Sequence, residues 1–119
     1  MEDYKRGSHT VWDCKYHFVW TTKYRYPVLA GDVVQRCREL LREISRSQEM
    51  TICAGSINRD HVHMLIGIPP QISVSRAVQY LKGKSSHKLL SEFAALRKRY
   101  WGQHLWARLL GSHQRQCDR

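Results

Sequence analysis

Acidic residues are scarce in this chain. Ten Asp and Glu stand against twenty Lys and Arg, a formal net charge of +10. A surface that positive attracts a polyanion, and nucleic acid is the commonest one. Cysteine is present without pattern. Cys14, Cys37, Cys53 and Cys117 contain no C-x-x-C pair. That spacing fits neither a zinc ribbon nor a disulfide scaffold, so the four read as small apolar residues in a reducing compartment. No apolar run approaches a membrane span. The start, Met1-Glu2-Asp3-Tyr4, is polar, which predicts no signal peptide and a cytoplasmic protein. Repeats, low-complexity tracts and linkers are missing too.

What is present suffices for one domain. The chain has 119 residues, 42% of them hydrophobic, enough for a single modest core. Residues 1–9 are polar and are expected to form a flexible N-terminal segment, ahead of a domain over 10–108 and a tail over 109–119. From Val11 to Thr22 apolar and polar residues alternate. Trp12, Cys14, Tyr16, Phe18 and Trp20 share one face; Asp13, Lys15, His17 and Thr21 share the other. This period of two predicts a long half-buried strand with a polar face free for chemistry.

Gly31-Asp32 opens a helix, with Asp32 as its N-cap. Val33, Cys37, Leu40, Leu41 and Ile44 recur at helical spacing. Met50–Ile57 and His61–Ile68 read as two strands joined by an Asn58-Arg59-Asp60 turn, the second stopped by Pro69-Pro70. A long helical pattern follows to about Leu96, capped by Ser73 or Ser75, with Gly83 as a possible interruption. Gln103–Leu110 is expected to be a short last strand. The order β-α-β-β-α-β predicts an α+β, ferredoxin-like sandwich with an antiparallel sheet, helices on one face and the other face open.

His61 and His63 are two apart on a strand and so share a face, while Val62, Met64, Ile66 and Ile68 point to the helices. Two adjacent imidazoles on an open face can bind one divalent ion through neutral ring nitrogens. The H-x-H pattern alone is a weak signal, because exposed strand faces often alternate in polar residues. Here the histidines break an apolar strand within a very basic chain, which strengthens it. His17 and Asp13 on the first strand read either as supports for that site or as DNA contacts. A two-histidine phosphodiesterase would need a second His-x-Thr or His-x-Ser pair, and the sequence has none.

Asp60-His61-Val62-His63-Met64-Leu65-Ile66 resembles the HUH motif of single-tyrosine, IS200-like transposases. Thr22-Lys23-Tyr24-Arg25, Leu81-Lys82-Gly83-Lys84-Ser85-Ser86 and Trp101-Gly102 with His104-Leu105-Trp106-Ala107-Arg108 resemble three further motifs of that family, in order, from about Ser8 to Arg108. The resemblance implies a homodimer that binds hairpin single-stranded DNA at element ends and cuts and rejoins it through a phosphotyrosine. It also implies a divalent metal, Mg or Mn, at His61 and His63. Lys23, Arg25, Lys82, Lys84 and Lys88 are candidate phosphate contacts, each of which can equally be a solvated surface charge. Tyr24 and Tyr26 either stack on unpaired bases or anchor the loop after strand one, with the anchor preferred. Trp101 and Trp106 are expected to pack as core or dimer residues.

After Arg108 the resemblance stops. The family continues into a helix carrying the nucleophilic tyrosine and commonly a glutamine. Residues 109–119 here are polar, hold no tyrosine and show no apolar stripe. The expectation is a frameshifted or substituted end and a cleavage-defective copy, in which the dimer persists only if that loss is tolerated. Non-catalytic DNA or RNA binding is the alternative.

Overall fold

The computed structural model describes residues 14–101, 103–108 and 112–117, the last segment as backbone only. The nine-residue start, Trp12 and Asp13 lie outside the described residues. Strand β1 spans Cys14–Thr21, helix α1 Asp32–Ser47, strand β2 Thr51–Ile57 and strand β3 His61–Gly67. Helix α2 (Val74–Gln79) runs through a π-turn at Tyr80–Lys84 into α3 (Ser85–Glu92). Helix α4 (Ala94–Arg99) and strand β4 (Ser112–Cys117) complete the order. The strands form one sheet in the order β2-β3-β1-β4, every neighbouring pair antiparallel. This is the expected ferredoxin-like α+β sandwich.

The alternation in β1 sets the layers. Phe18 and Trp20 are fully buried and pair in register with Met64 and Val62 of β3, which are buried too. Cys37, Leu40, Leu41 and Ile44 present the apolar stripe of α1 to this core, joined by Leu81, Leu89 and Leu90. The opposite sheet face carries His17, Val19 and Thr21 beside His61, His63 and Leu65.

Three local expectations need correction and one is met. Gly31, not Asp32, is the N-cap of α1, at φ 57° and ψ −130°, a conformation glycine adopts without steric cost. Ser73 does cap α2, its hydroxyl accepting from the Arg76 amide at 3.1 Å. The helical pattern is not continuous to Leu96: Phe93, extended at φ −118° and ψ 104°, separates α3 from α4. The last strand is not Gln103–Leu110 but Ser112–Cys117, pairing with β1. Among the described residues of the earlier segment, only Trp106 bridges to Thr22, through Lys23 N–H to Leu105 O and Ala107 N–H to Thr21 O. Leu105 and Trp106 are drawn into the core there, so the apolar signal was real but did not make a strand.

The cysteines also divide. Cys14 is disulfide-bonded, and the register sets Cys117 opposite it on β4. Cys37 is the buried apolar filler expected of all four, whereas Cys53 is exposed at a β2 irregularity. Burial pushes the Cys37 thiol up to about 12. The thiolate is the reactive form, so brief alkylation of the native protein should label the Cys53 peptide and spare the Cys37 peptide until denaturant is added. Equal labelling in peptide mapping would show that the α1 face is not packed as described.

Candidate metal centre and nucleic-acid interface

The β3 register places His61 opposite Thr21 and His63 opposite Val19 on the open face. His63 is exposed, and the His17 ring stacks on it with centroids 5.8 Å apart and planes 16° from parallel. The two predicted ligands therefore share a face, and His17 belongs to the same cluster.

His61 is held at both ring nitrogens. Its Nδ1 lies 2.9 Å from Asp60 Oδ1, and its Nε2 lies 2.8 Å from Asn58 Nδ2. An ionised carboxylate can only accept, so Nδ1 carries the proton and Nε2 keeps its lone pair. Arg25 completes the chain: its Nε and Nη2 each approach Asp60 Oδ2 at 3.1 Å. The His61 hydrogen bond and the Arg25 fork hold the Asp60 carboxyl below the ordinary aspartate range. The turn itself is closed by Asn58 N–H to His61 O at 2.8 Å. Thus Asp60, Arg25 and Asn58 fix the ring of one imidazole, whose Nε2 lone pair accepts from the Asn58 amide.

That donor chemistry fits a divalent ion. A neutral imidazole with its far nitrogen tied to a carboxylate is the usual state of a metal-ligating histidine. Asn58 would yield Nε2 to the ion. Among the described residues no group of three or more His, Cys, Asp or Glu converges for such an ion. The two histidines would therefore be a partial set, of the kind that water and phosphate oxygens complete in magnesium-type sites.

The five candidate phosphate contacts separate. Lys23 and Lys82 line a groove of about 930 Å³ with His87, Arg97, His104 and Arg108. Lys84 and Lys88 line a different groove, between α1 and the α2–α3 segment, with Arg76 and Tyr80. Gly83 and His87 border both. Arg25 belongs to neither; it is the partner of Asp60. Lys82 is half committed already, its ammonium donating to Ala107 O at 2.8 Å, and burial pushes its pKa down. Sequence reading missed Arg97, His104 and Arg108 because scattered basic residues carry no periodic signal. It read Asn58 only as a turn former, and Asp60 as a turn former at the start of the HUH-like segment.

The serine pair is structural. Ser85 Oγ donates to Leu81 O and accepts Trp106 Nε1–H at 2.9 Å; Ser86 Oγ accepts Leu105 N–H at 3.0 Å. With Lys82 these side chains fasten residues 105–107 to the helix layer. Thr22 does the same for the loop after β1: it is fully buried, and its hydroxyl donates to Tyr26 O at 2.7 Å. Trp106 is a core residue, edge-on to Trp20 at 5.8 Å. Trp101 is not, being 87% exposed.

The described tyrosines have partners of their own. Tyr16 sits opposite Ile66, on the core side of β1. Tyr80 is flanked by Arg76 and Lys84. Tyr24, Tyr26 and Tyr100 contact one another in series, and burial pushes the Tyr100 phenol above the ordinary tyrosine value.

Known proteins resemble this chain in sequence and fold. The family described as "Transposase IS200 like" matches residues 10–113. The transposase for insertion sequence element IS200 of Salmonella typhimurium is 39% identical over 108 residues, 91% of this chain and 71% of that one. The ISDra2 transposase TnpA of Deinococcus radiodurans is 32% identical over 102 residues, 86% of this chain and 73% of the relative. A crystal structure described as a transposase of Deinococcus radiodurans superposes with a TM-score of 0.78 at 33% identity, covering 95% of this chain and 85% of the other. A REP-associated tyrosine transposase bound to a REP hairpin shares the fold, with a TM-score of 0.62 at 16% identity over 100% of this chain and 63% of that one. With the match running through the histidine strand, the loop after β1 and the serine pair alike, this chain belongs to the IS200-like transposase family.

Proposed function

We propose that this protein works in DNA transposition by binding hairpin single-stranded DNA at element ends, with a homodimer as the working unit. The observation that carries the reading is the oriented histidine pair on the open sheet face, in a chain of this family. A structural neighbour bound to a REP hairpin supports the choice of ligand. The groove holding Lys23, Lys82, Arg97 and Arg108 supports a phosphate-backbone contact.

His61 and His63 would hold magnesium or manganese, which when bound polarises a phosphate oxygen and positions the scissile group. The chain's own contribution at this point is orientation. Asp60 fixes the His61 tautomer, Arg25 fixes Asp60, and the His17 ring backs His63. The phosphotyrosine step further needs a phenol in line with the scissile bond. Among the described tyrosines, Tyr16 faces the core, Tyr24, Tyr26 and Tyr100 contact one another, and Tyr80 lies beside Arg76 and Lys84. These 119 residues are accordingly read as binding the hairpin without cutting it.

The test is direct. The purified 119-residue protein is incubated with a labelled DNA hairpin and manganese. A mobility shift without a denaturant-resistant protein–DNA band is expected. A covalent band lost on one Tyr→Phe change would overturn the binding-only reading, and preference for duplex RNA over hairpin DNA would overturn the ligand. Light scattering at several concentrations checks the dimer.

A further inference from the structure

Two large aromatic side chains project from the described surface, and both lie on strained backbone. Tyr24 is 68% exposed at φ 63°, and Trp101 is 87% exposed at φ 56°. A left-handed φ is costly for any residue with a Cβ, and such positions persist where function needs them. Burial does not offset that cost at either ring.

Tyr24 begins an aromatic series, and Trp101 adjoins its other end in the chain. Tyr24 and Tyr26 have ring centroids 5.4 Å apart, Tyr26 and Tyr100 5.6 Å, and Trp101 follows Tyr100 in the chain. The inner members are anchored, Tyr100 being only 3% exposed. Cations border the series. The Arg99 guanidinium stands 4.0 Å from the Tyr26 centroid, and Lys23 Nζ 5.4 Å from that of Tyr24. Lys23 also lines the cationic groove, and Arg25, next to Tyr24, leads through Asp60 to His61. Tyr24 thus stands in the chain between a residue of the groove and the partner of Asp60.

We propose that Tyr24 and Trp101 form a stacking ledge for unpaired bases beside the hairpin, with Lys23 and Arg99 on the intervening phosphates. The inference rests on the DNA-binding reading above. Exposed rings interleaved with cations match single-stranded nucleic acid, whose bases offer stacking faces and whose backbone is anionic. A protein interface would instead deplete charge around its apolar centre. Loop anchoring accounts for Tyr26, which is partly buried under Arg99. It does not account for Tyr24.

The experiment compares the parent protein with Tyr24→Ala/Trp101→Ala and with Trp101→Phe. The probes are a fluorescein-labelled blunt DNA hairpin, the same hairpin with a short thymidine overhang, and a free thymidine oligomer, read by anisotropy at one salt concentration. The overhang should tighten binding to the parent. The double variant should lose about 10- to 100-fold on the overhang hairpin and almost nothing on the blunt one, with an unchanged Tm. Trp101→Phe should retain most of the affinity. Equal loss on both hairpins, no loss on either, or no preference of the parent for the overhang each overturn the ledge while leaving hairpin binding intact. Parent binding to the thymidine oligomer but not to hairpins, with the oligomer affinity lost in the double variant, supports the ledge and overturns the hairpin reading. Loss of dimer mass in the variants with DNA affinity unchanged assigns the rings to a second copy and overturns it.

Discussion

Asp60→Asn should weaken manganese binding about 10- to 100-fold, the usual effect of removing the outer partner of a metal-ligating histidine. The amide offers one acceptor where the carboxylate offers two. It can accept from His61 Nδ1–H or from the Arg25 fork, but not from both as Asp60 does through Oδ1 and Oδ2. If it turns its NH₂ toward His61, the imidazole shifts tautomer and Nε2 gains the proton that excludes the metal. Calorimetric titration of the DNA-free protein reads this without requiring cleavage. Arg25→Gln should produce a smaller loss, because Asp60 still holds His61. A manganese affinity unchanged in Asp60→Asn would remove Asp60 from the site. The double change His61→Ala with His63→Ala sets the baseline at which no metal-linked thermal stabilisation remains.

Trp106→Ala should destabilise the fold by about 3–5 kcal/mol, the range for deleting a large buried aromatic. For a domain of this size that is a fall in Tm of roughly 10–20 °C. The ring is 4% exposed and meets Trp20 edge-on at 81°. Its Nε1–H donates to Ser85, which ties the 105–107 segment to α3. Trp106→Phe keeps part of the ring contact and should cost about 1 kcal/mol for the lost hydrogen bond plus the smaller ring. Trp101→Ala is the contrast: at 87% exposure it should stay within about 0.5 kcal/mol of the parent. Thermal melts of the three variants decide it. Similar losses at both tryptophans would mean that the buried and exposed assignments are wrong.

The pair also shows why parts of the structure were legible and parts were not. Strands β1 and β3 could be read because each buries one face, so apolar residues recur with period two and the register follows. Helix α1 could be read from its stripe. Strand β4 could not: Ser-His-Gln-Arg-Gln-Cys has no apolar alternation, and an edge strand needs only backbone partners. The Gln103–Leu110 segment misled for the opposite reason, since Leu105 and Trp106 are apolar but are held by Ser85 and Ser86. Trp101 and Trp106 are the same residue type five positions apart, and nothing local separates a core ring from an exposed one.

The shared face of His61 and His63 was determined by sequence alone, because side chains two apart on a strand must point the same way. So was the family, whose motifs recur here in order, and the cationic character that goes with a nucleic-acid ligand. The tertiary structure decided which groups serve those histidines. Asp60 and Asn58 fall on the His61 ring because the turn folds back, and Arg25 reaches Asp60 across thirty-five residues. It also sorted the five candidate phosphate contacts into two grooves and one ion pair, and left Tyr24 and Trp101 in the open. A one-dimensional pattern reports the faces of each element. Contacts between elements depend on how those faces are brought together, and only the packed chain holds that information.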